Sequence, residues 1–197
     1  MPVFYERFRR IRRHAGSPLL ILISLTLLLG GCATLNETQC VQADWFMLGA
    51  SDARNGYTIQ RIDQHQQACS KHGVRIDPRA YEAGYSEGLK DFCVPAKGFS
   101  QGRNGNDYQN QCPAPLERDF LRGYDLGRQV HAVEVELEAY DKQIKQLQAD
   151  IDNQTSEQLR DAAKQRLRFV IEDRDRTERQ RNNLLERSRR LGFSSGW

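Results

Sequence analysis

The sequence predicts an all-α protein: a small disulfide-stapled helical domain with glycine-faced short helices, followed by a long antiparallel helical hairpin. Three observations carry that expectation. An aromatic residue, a glycine three positions on and a second small residue four further recur at helical spacing. Five cysteines follow a leucine-rich leader, four of them beyond its closing Cys32. The last third is dominated by Glu, Gln, Lys, Arg, Leu and Ala, with apolar positions stepping by three and four.

The leader comes first. Arg7, Arg9, Arg10, Arg12 and Arg13 form a basic start, and Leu19 to Leu29 then runs apolar except at Ser24 and Thr26. That run suits a signal peptide and falls short of the roughly 20 residues a membrane-spanning helix needs. Leu29-Gly30-Gly31-Cys32 closes it and looks like a bacterial lipobox. The expectation is removal of residues 1–31 and acylation of Cys32, with 32–39 as a lipidated tether. The bland alternative is an uncleaved anchor with Cys32 as an ordinary thiol; the order of apolar run, small residues and cysteine favours lipidation. Acyl chains contribute about 0.8 kcal/mol per buried CH2, so several of them would hold the mature chain at a membrane. Ala33 stands where an Asp would mark inner-membrane retention. The expected location is therefore the outer membrane, with the body facing the periplasm.

Removing the leader changes the charge. The whole chain carries +3, but residues 1–31 hold five arginines and one acid, which leaves the remainder at −1. Nothing in that balance argues for a nucleic-acid partner, and none is expected. Apart from Cys32, the cysteines are Cys40, Cys69, Cys93 and Cys112, an even number that in an exported protein reads as two disulfides. Three pairings are open. Cys93 with Cys112 and Cys40 with Cys69 are favoured, the first closing a glycine-rich loop and the second stapling the first helical region. The competing metal site would use Cys69, His72, Cys93 and Cys112. Oxidation of periplasmic thiols argues against it, and no metal or cofactor is expected.

The stapled domain is expected over 40–130. Phe46-x-x-Gly49-x-x-x-Ala53, Tyr81-x-x-Gly84-Tyr85-x-x-Gly88 and Phe120-x-x-Gly123-Tyr124-x-x-Gly127 each place an aromatic and two small residues on one helix face. A helical glycine costs roughly 1 kcal/mol against alanine, so each needs a packing or functional reason. Three short helices meeting across these faces, with Trp45, Tyr85 and Tyr124 filling space around them, supply one. Trp45, Gly49, Asp52 and Gly56 also share a face, which puts a carboxylate on it. Capping a neighbouring helix is the plainer role for Asp52, because a catalytic one would need a second titratable group. Gly98, Gly102, Gly105, Asn104, Asn106 and Asn110 lie between Cys93 and Cys112, and read as a loop tolerant of positive φ. No strand precedes these glycines and no Lys-Ser/Thr follows, which argues against a phosphate cradle. A recognition loop exposing Phe99, Arg103 and Tyr108 is the functional alternative. Trp45, Asp52, Phe99, Arg103 and Tyr108 are therefore the candidate binding residues, and no catalytic residue stands out.

Residues 131–191 are expected to form the hairpin. Leu137, Tyr140, Ile144, Leu147 and Ile151 keep a heptad rhythm, which fails at Asp152-Asn153-Gln154-Thr155. Thr155 with Gln158 matches a capping box for a second helix. Folding back near residue 154 would set Ile144 near Leu167. Charge supports it: residues 134–152 carry −4 and residues 157–190 carry +4. A continuous helix dimerising through its seam is the rival, and the polar break counts against it. The tail 192–197 is expected to be mobile, with Phe193 and Trp197 as possible anchors.

With these residues in view, the chain resembles a family of uncharacterised Gram-negative lipoproteins built around one domain of unknown function. The matching features are the lipobox, Trp45 with Gly49, Asp52 and Gly56, and Tyr81-x-x-Gly84-x-x-x-Gly88-Leu89. Phe92-Cys93, the loop glycines, Tyr108, Cys112-Pro113 and Phe120-x-x-Gly123-x-x-x-Gly127 complete the set. The resemblance covers about residues 32–130 and implies an envelope location without a known activity. The expected function is a non-enzymatic structural or interaction protein, held to the membrane through Cys32 and binding an envelope protein. The alternative is binding of a small ligand or peptidoglycan fragment. Oligomeric state is open.

Overall fold

Residues 34–193 are described by the computed structural model, and among them there is no strand. Cys32, the leader 1–31 and Trp197 lie outside the described residues. The helices are α1 (Glu37–Val41), α2 (Trp45–Arg54), α3 (Arg61–Ser70), α4 (Pro78–Phe92), α5 (Pro95–Arg103), α6 (Ala114–Asn153) and α7 (Glu157–Arg190). Their starts follow from local chemistry. Asn36 caps α1 through a reciprocal capping box with Gln39. Asp44 accepts from the Met47 amide, and Asp77 from the amides of Arg79 and Ala80. Pro78 and Pro95 occupy first-turn positions, where a missing N–H costs nothing.

Two helix crossings build the domain, α2 on α4 and α5 on α6. In both, glycine lets one backbone touch another. A Cβ on Gly84 would stand 2.6 Å from the Phe46 carbonyl carbon, and one on Gly88 2.9 Å from that of Ala50. In the second crossing a Cβ on Gly123 would stand 2.8 Å from the Pro95 carbonyl carbon, and one on Gly127 2.7 Å from the Arg103 nitrogen. Three glycine-faced helices were expected; among the described residues four are present, in two pairs. The fourth is α5, inside the segment expected to be a loop. Its glycines, Gly98 and Gly102, lie one turn apart and pack against α6.

The two crossings are copies of one unit. Gly49, Ala53 and the run Arg54-Asn55-Gly56 match Gly98, Gly102 and Arg103-Asn104-Gly105. Both runs end in a left-handed glycine, with φ of 82° at Gly56 and 72° at Gly105. Tyr85 on α4 donates its hydroxyl proton to the carbonyl of Tyr57, just past the first turn (2.8 Å). Tyr124 on α6 does the same to Asn106 past the second (2.9 Å). The Phe92 ring sits against Gly56, and the His131 ring against Gly105.

The main core holds Tyr81, Tyr85, Leu89, Phe92, Phe120 and Tyr124 at the junction of the two units. Phe92 and Phe120 stack across it with centroids 5.3 Å apart. Disulfides bind the periphery. Cys40–Cys69 joins α1 to α3 (Cα–Cα 5.4 Å) and Cys93–Cys112 closes the segment carrying α5 (5.7 Å), the pairing favoured on sequence. That pairing also separates the thiols of the metal alternative. Replacing Cys40 and Cys69 together by serine should remove about 3 kcal/mol of stability, by relaxing a loop constraint in the unfolded chain. Urea denaturation of the variant against the parent, without reductant, measures it.

The hairpin is present, and its boundaries differ from those expected. α6 runs unbroken through residue 130, so the hairpin's first arm is the same helix that closes the second crossing. α7 begins after Ser156 without a side-chain cap, in place of the Thr155–Gln158 box. The seam on α7 continues past residue 174 in polar form. Arg174 and Arg181 are half-buried, and Thr177 and Ser188 are buried. Arg174 pairs with Asp141 (2.7 Å) and Glu178 (3.0 Å), which explains how a helix with few apolar residues there keeps its register. Asp141 thus faces Arg174, about one turn beyond an Ile144–Leu167 register. The tail is also anchored earlier than expected: Phe193 is buried with Phe99, Leu126 and Val130. Leu35 is likewise buried, against Cys40 and Cys69, within the segment expected to be a tether. Both side chains are large and apolar, and each finds a preformed apolar site at a helix end.

Candidate functional site

Asp52 lies on the glycine face of α2, where no bulky neighbour shields it from α3 and α4. His65 Nε2 lies 2.7 Å from its Oδ2, and the Tyr81 hydroxyl donates to the same oxygen at 2.7 Å. Arg61 Nε stands 3.5 Å from Oδ1 without forming a hydrogen bond. The Arg61 guanidinium lies over the Tyr57 ring at 3.7 Å. The residue exposures of Asp52, His65 and Tyr81 are 6%, 2% and 0%. Burial alone would raise the Asp52 carboxyl pKa. The hydrogen bonds from His65 and Tyr81, with the Arg61 charge nearby, outweigh burial and hold it below the usual 3.8. Burial and the Asp52 carboxylate push Tyr81 upward, and burial brings Tyr85 to about 12. An ionised carboxylate receiving from α3 and α4 ties three helices together.

This cluster is where the two units differ. The second has Gln101 at the position of Asp52 and Phe120 at that of Tyr81, and has no counterpart of α3. Its turn is held by apolar and backbone contacts, with His131 Nδ1–H donating to the Arg103 carbonyl (3.0 Å). The first unit must hold an added helix, and a charged centre does so.

The candidate binding residues do not converge. Trp45 is half-buried between the main core and the Cys40–Cys69 cluster. Asp52 is sealed. Phe99 is buried beneath the end of the hairpin instead of exposed on a loop, because α5 turns it toward Val130 and Phe193. Arg103 remains exposed but pairs with Glu134 on α6 (2.7 Å). Tyr108 packs its ring 4.8 Å from that of Phe120 and donates to Glu117 (2.9 Å), so it completes the core. A single recognition loop is not formed. His65, Arg61 and Tyr81 were the members missed by sequence reasoning. One signal was available: His65, Ala68 and Cys69 share a face of α3, which places His65 inward with the disulfide.

Residues 44–129 match the family described as DUF2799, a protein of unknown function. No curated protein and no solved structure matches the chain. The DUF2799 match spans both helix crossings and the Asp52 cluster, and stops before the free arms of the hairpin. No helix among the described residues is long and apolar enough to cross a membrane. The hairpin arms are a separate surface, amphipathic and incompletely covered. Leu159 is 57% exposed and Phe169 67%, and Tyr140, Ile144, Leu147 and Ile151 are only half-buried.

Proposed function

We propose that the chain is a lipid-anchored, periplasm-facing protein of the Gram-negative cell envelope that acts as a non-enzymatic interaction protein, using its hairpin as the docking arm. The observation that carries this reading is the contrast between the two parts of the molecule. In the domain, the groups with chemical potential are sealed: Asp52, His65 and Tyr81 satisfy one another, and the glycine faces are filled by backbone. In the hairpin, Leu159 and Phe169 remain open on helices about 50 Å long at 1.5 Å per residue. Exposed apolar side chains on a paired helical arm suit a protein partner.

Attachment rests on Leu29-Gly30-Gly31-Cys32, and an oxidising compartment accords with two formed disulfides. The expected result for protein extracted from host membranes is an intact mass of residues 32–197 plus acyl groups. Four thiols should become available to alkylation only after reduction. Crosslinking in cells, with the parent and with a chain lacking the hairpin beyond residue 137, should then give a specific envelope product only for the parent. An unacylated mass would remove the anchor, and identical crosslinks would remove the docking arm.

A further inference from the structure

The start of the folded body leaves apolar side chains open to solvent. Leu35 packs against the Cys40–Cys69 disulfide, and α1 begins two residues later. Beside it an open groove runs between α1 and α2, with Leu35, Ala43, Met47 and Leu48 along its apolar side. Met47 is 54% exposed, and Phe46 and Val41 nearby in the chain are 39% and 67% exposed. The crossing of α2 on α4 is made by the carbonyls of Phe46 and Ala50, which leaves the Met47 side chain uncovered. The length of chain upstream says what covers it. Three peptide steps separate Cys32 from Leu35, and fully extended they span at most about 11 Å. Acyl groups on Cys32 therefore hold a bilayer surface within about 11 Å of Leu35, which borders the same groove as Met47. Among the described residues that line this groove none is basic, and the one acid, Asp44, is engaged in capping α2 through the Met47 amide. The face suits apolar contact with lipid and offers nothing to headgroup phosphates.

We infer that the groove between α1 and α2 rests on the lipid surface itself, with Met47 set at the boundary of headgroups and acyl chains. An unbranched, flexible thioether side chain adapts to that irregular layer, and its exposed apolar surface leaves water there. The anchor then does more than hold the protein near the membrane: so short a connection also fixes which end of the body faces it. This inference rests on lipid attachment at Cys32 and adds the face that the attachment presents to the bilayer.

The test is electron paramagnetic resonance of the full acylated chain in vesicles of phosphatidylethanolamine with phosphatidylglycerol, and again in phosphatidylcholine. A nitroxide is attached at Met47→Cys or, as the control, at Leu159→Cys. Both side chains are exposed, so labelling leaves the fold in place, which circular dichroism checks. Leu159 shares a groove with Leu147 and Asp150, about 40 Å along α6 from Phe120, whereas Trp45 at the start of α2 packs on the core that holds Phe120. Intact mass establishes acylation of each preparation. The label at 47 should collide with oxygen, which concentrates in lipid, in preference to a water-soluble nickel chelate. Its oxygen-to-nickel ratio should be severalfold that at 159, and the same in both kinds of vesicle. An acylated chain whose two labels are equally exposed to water overturns the inference and leaves the anchor in place. Equal lipid exposure at 47 and 159 overturns it too, since the short connection would then not select the face. A lipid signal at 47 that needs phosphatidylglycerol replaces apolar contact by headgroup charge. An unacylated Cys32 removes the anchor, and the inference with it.

Discussion

Gly84→Ala and Gly123→Ala should each destabilise the domain by about 3 kcal/mol, and together should prevent folding. The added methyl at Gly84 meets the Phe46 carbonyl carbon at 2.6 Å and its oxygen closer still; at Gly123 it meets Pro95 in the same way. Both obstacles are backbone, so no rotamer change relieves them and the helices must separate. Separation would loosen the stack of Phe92 on Phe120, whose rings belong to the two crossings. Alanine is the better helix former by roughly 1 kcal/mol, which makes the sign informative: propensity alone predicts stabilisation. Gly73→Ala is the contrast. Nothing lies within 4 Å of a Cβ there, and only its φ of 73° opposes the change, so a loss of about 1 kcal/mol is expected. Thermal and urea unfolding of the three single variants reads the ranking directly. Equal losses at all three sites would refute backbone contact as the reason for the glycines.

Those glycines also show what could be read before the structure. Gly49, Gly84, Gly88, Gly123 and Gly127 announce a helix face because each pairs with an aromatic or small residue at helical spacing. Gly98 and Gly102 do so too, but they stand among Asn104, Asn106 and Asn110, and the composition of the loop masked the helix. The repeat of Arg54-Asn55-Gly56 at Arg103-Asn104-Gly105 was the local signal that a second copy of α2 lay there. Asp52 was legible as a carboxylate on an apolar face. Its partners were not, because His65 and Tyr81 come from 13 and 29 residues away, and only the packing of α3 and α4 against α2 brings them in. The hairpin was legible as a fold-back from charge and periodicity. Its polar seam was not: Arg174, Thr177 and Ser188 occupy inward positions that a hydrophobic count passes over.

Asp52→Ala should cost about 3 to 5 kcal/mol at neutral pH, because it removes the acceptor that His65 and Tyr81 share and the counter-charge beside Arg61. Asp52→Asn keeps an acceptor oxygen and should cost less. The acid dependence separates charge from shape. The Asp52 carboxyl titrates below 3.8 in the folded chain and at the ordinary value when unfolded. Its ionised form therefore contributes in full above pH 3.8, and the contribution is lost as pH falls through the lower, folded value. The stability gap between parent and Asp52→Asn should thus be constant from pH 7 to about 5 and should close toward pH 2. At the alkaline end the sign reverses. Tyr81 and Tyr85 hold their protons above 10 in the fold, Tyr85 to about 12, so stability is complete below pH 10 and declines above it. Tyr108 is likewise raised to about 12 by burial. Each such tyrosine contributes a slope of roughly 1.4 kcal/mol per pH unit, and Tyr81→Phe should remove its own share. A gap between parent and Asp52→Asn that persists unchanged to pH 2 would mean that the oxygen, not the charge, holds α3 and α4 to α2. The cluster would then be a hydrogen-bonded staple whose ionisation is incidental.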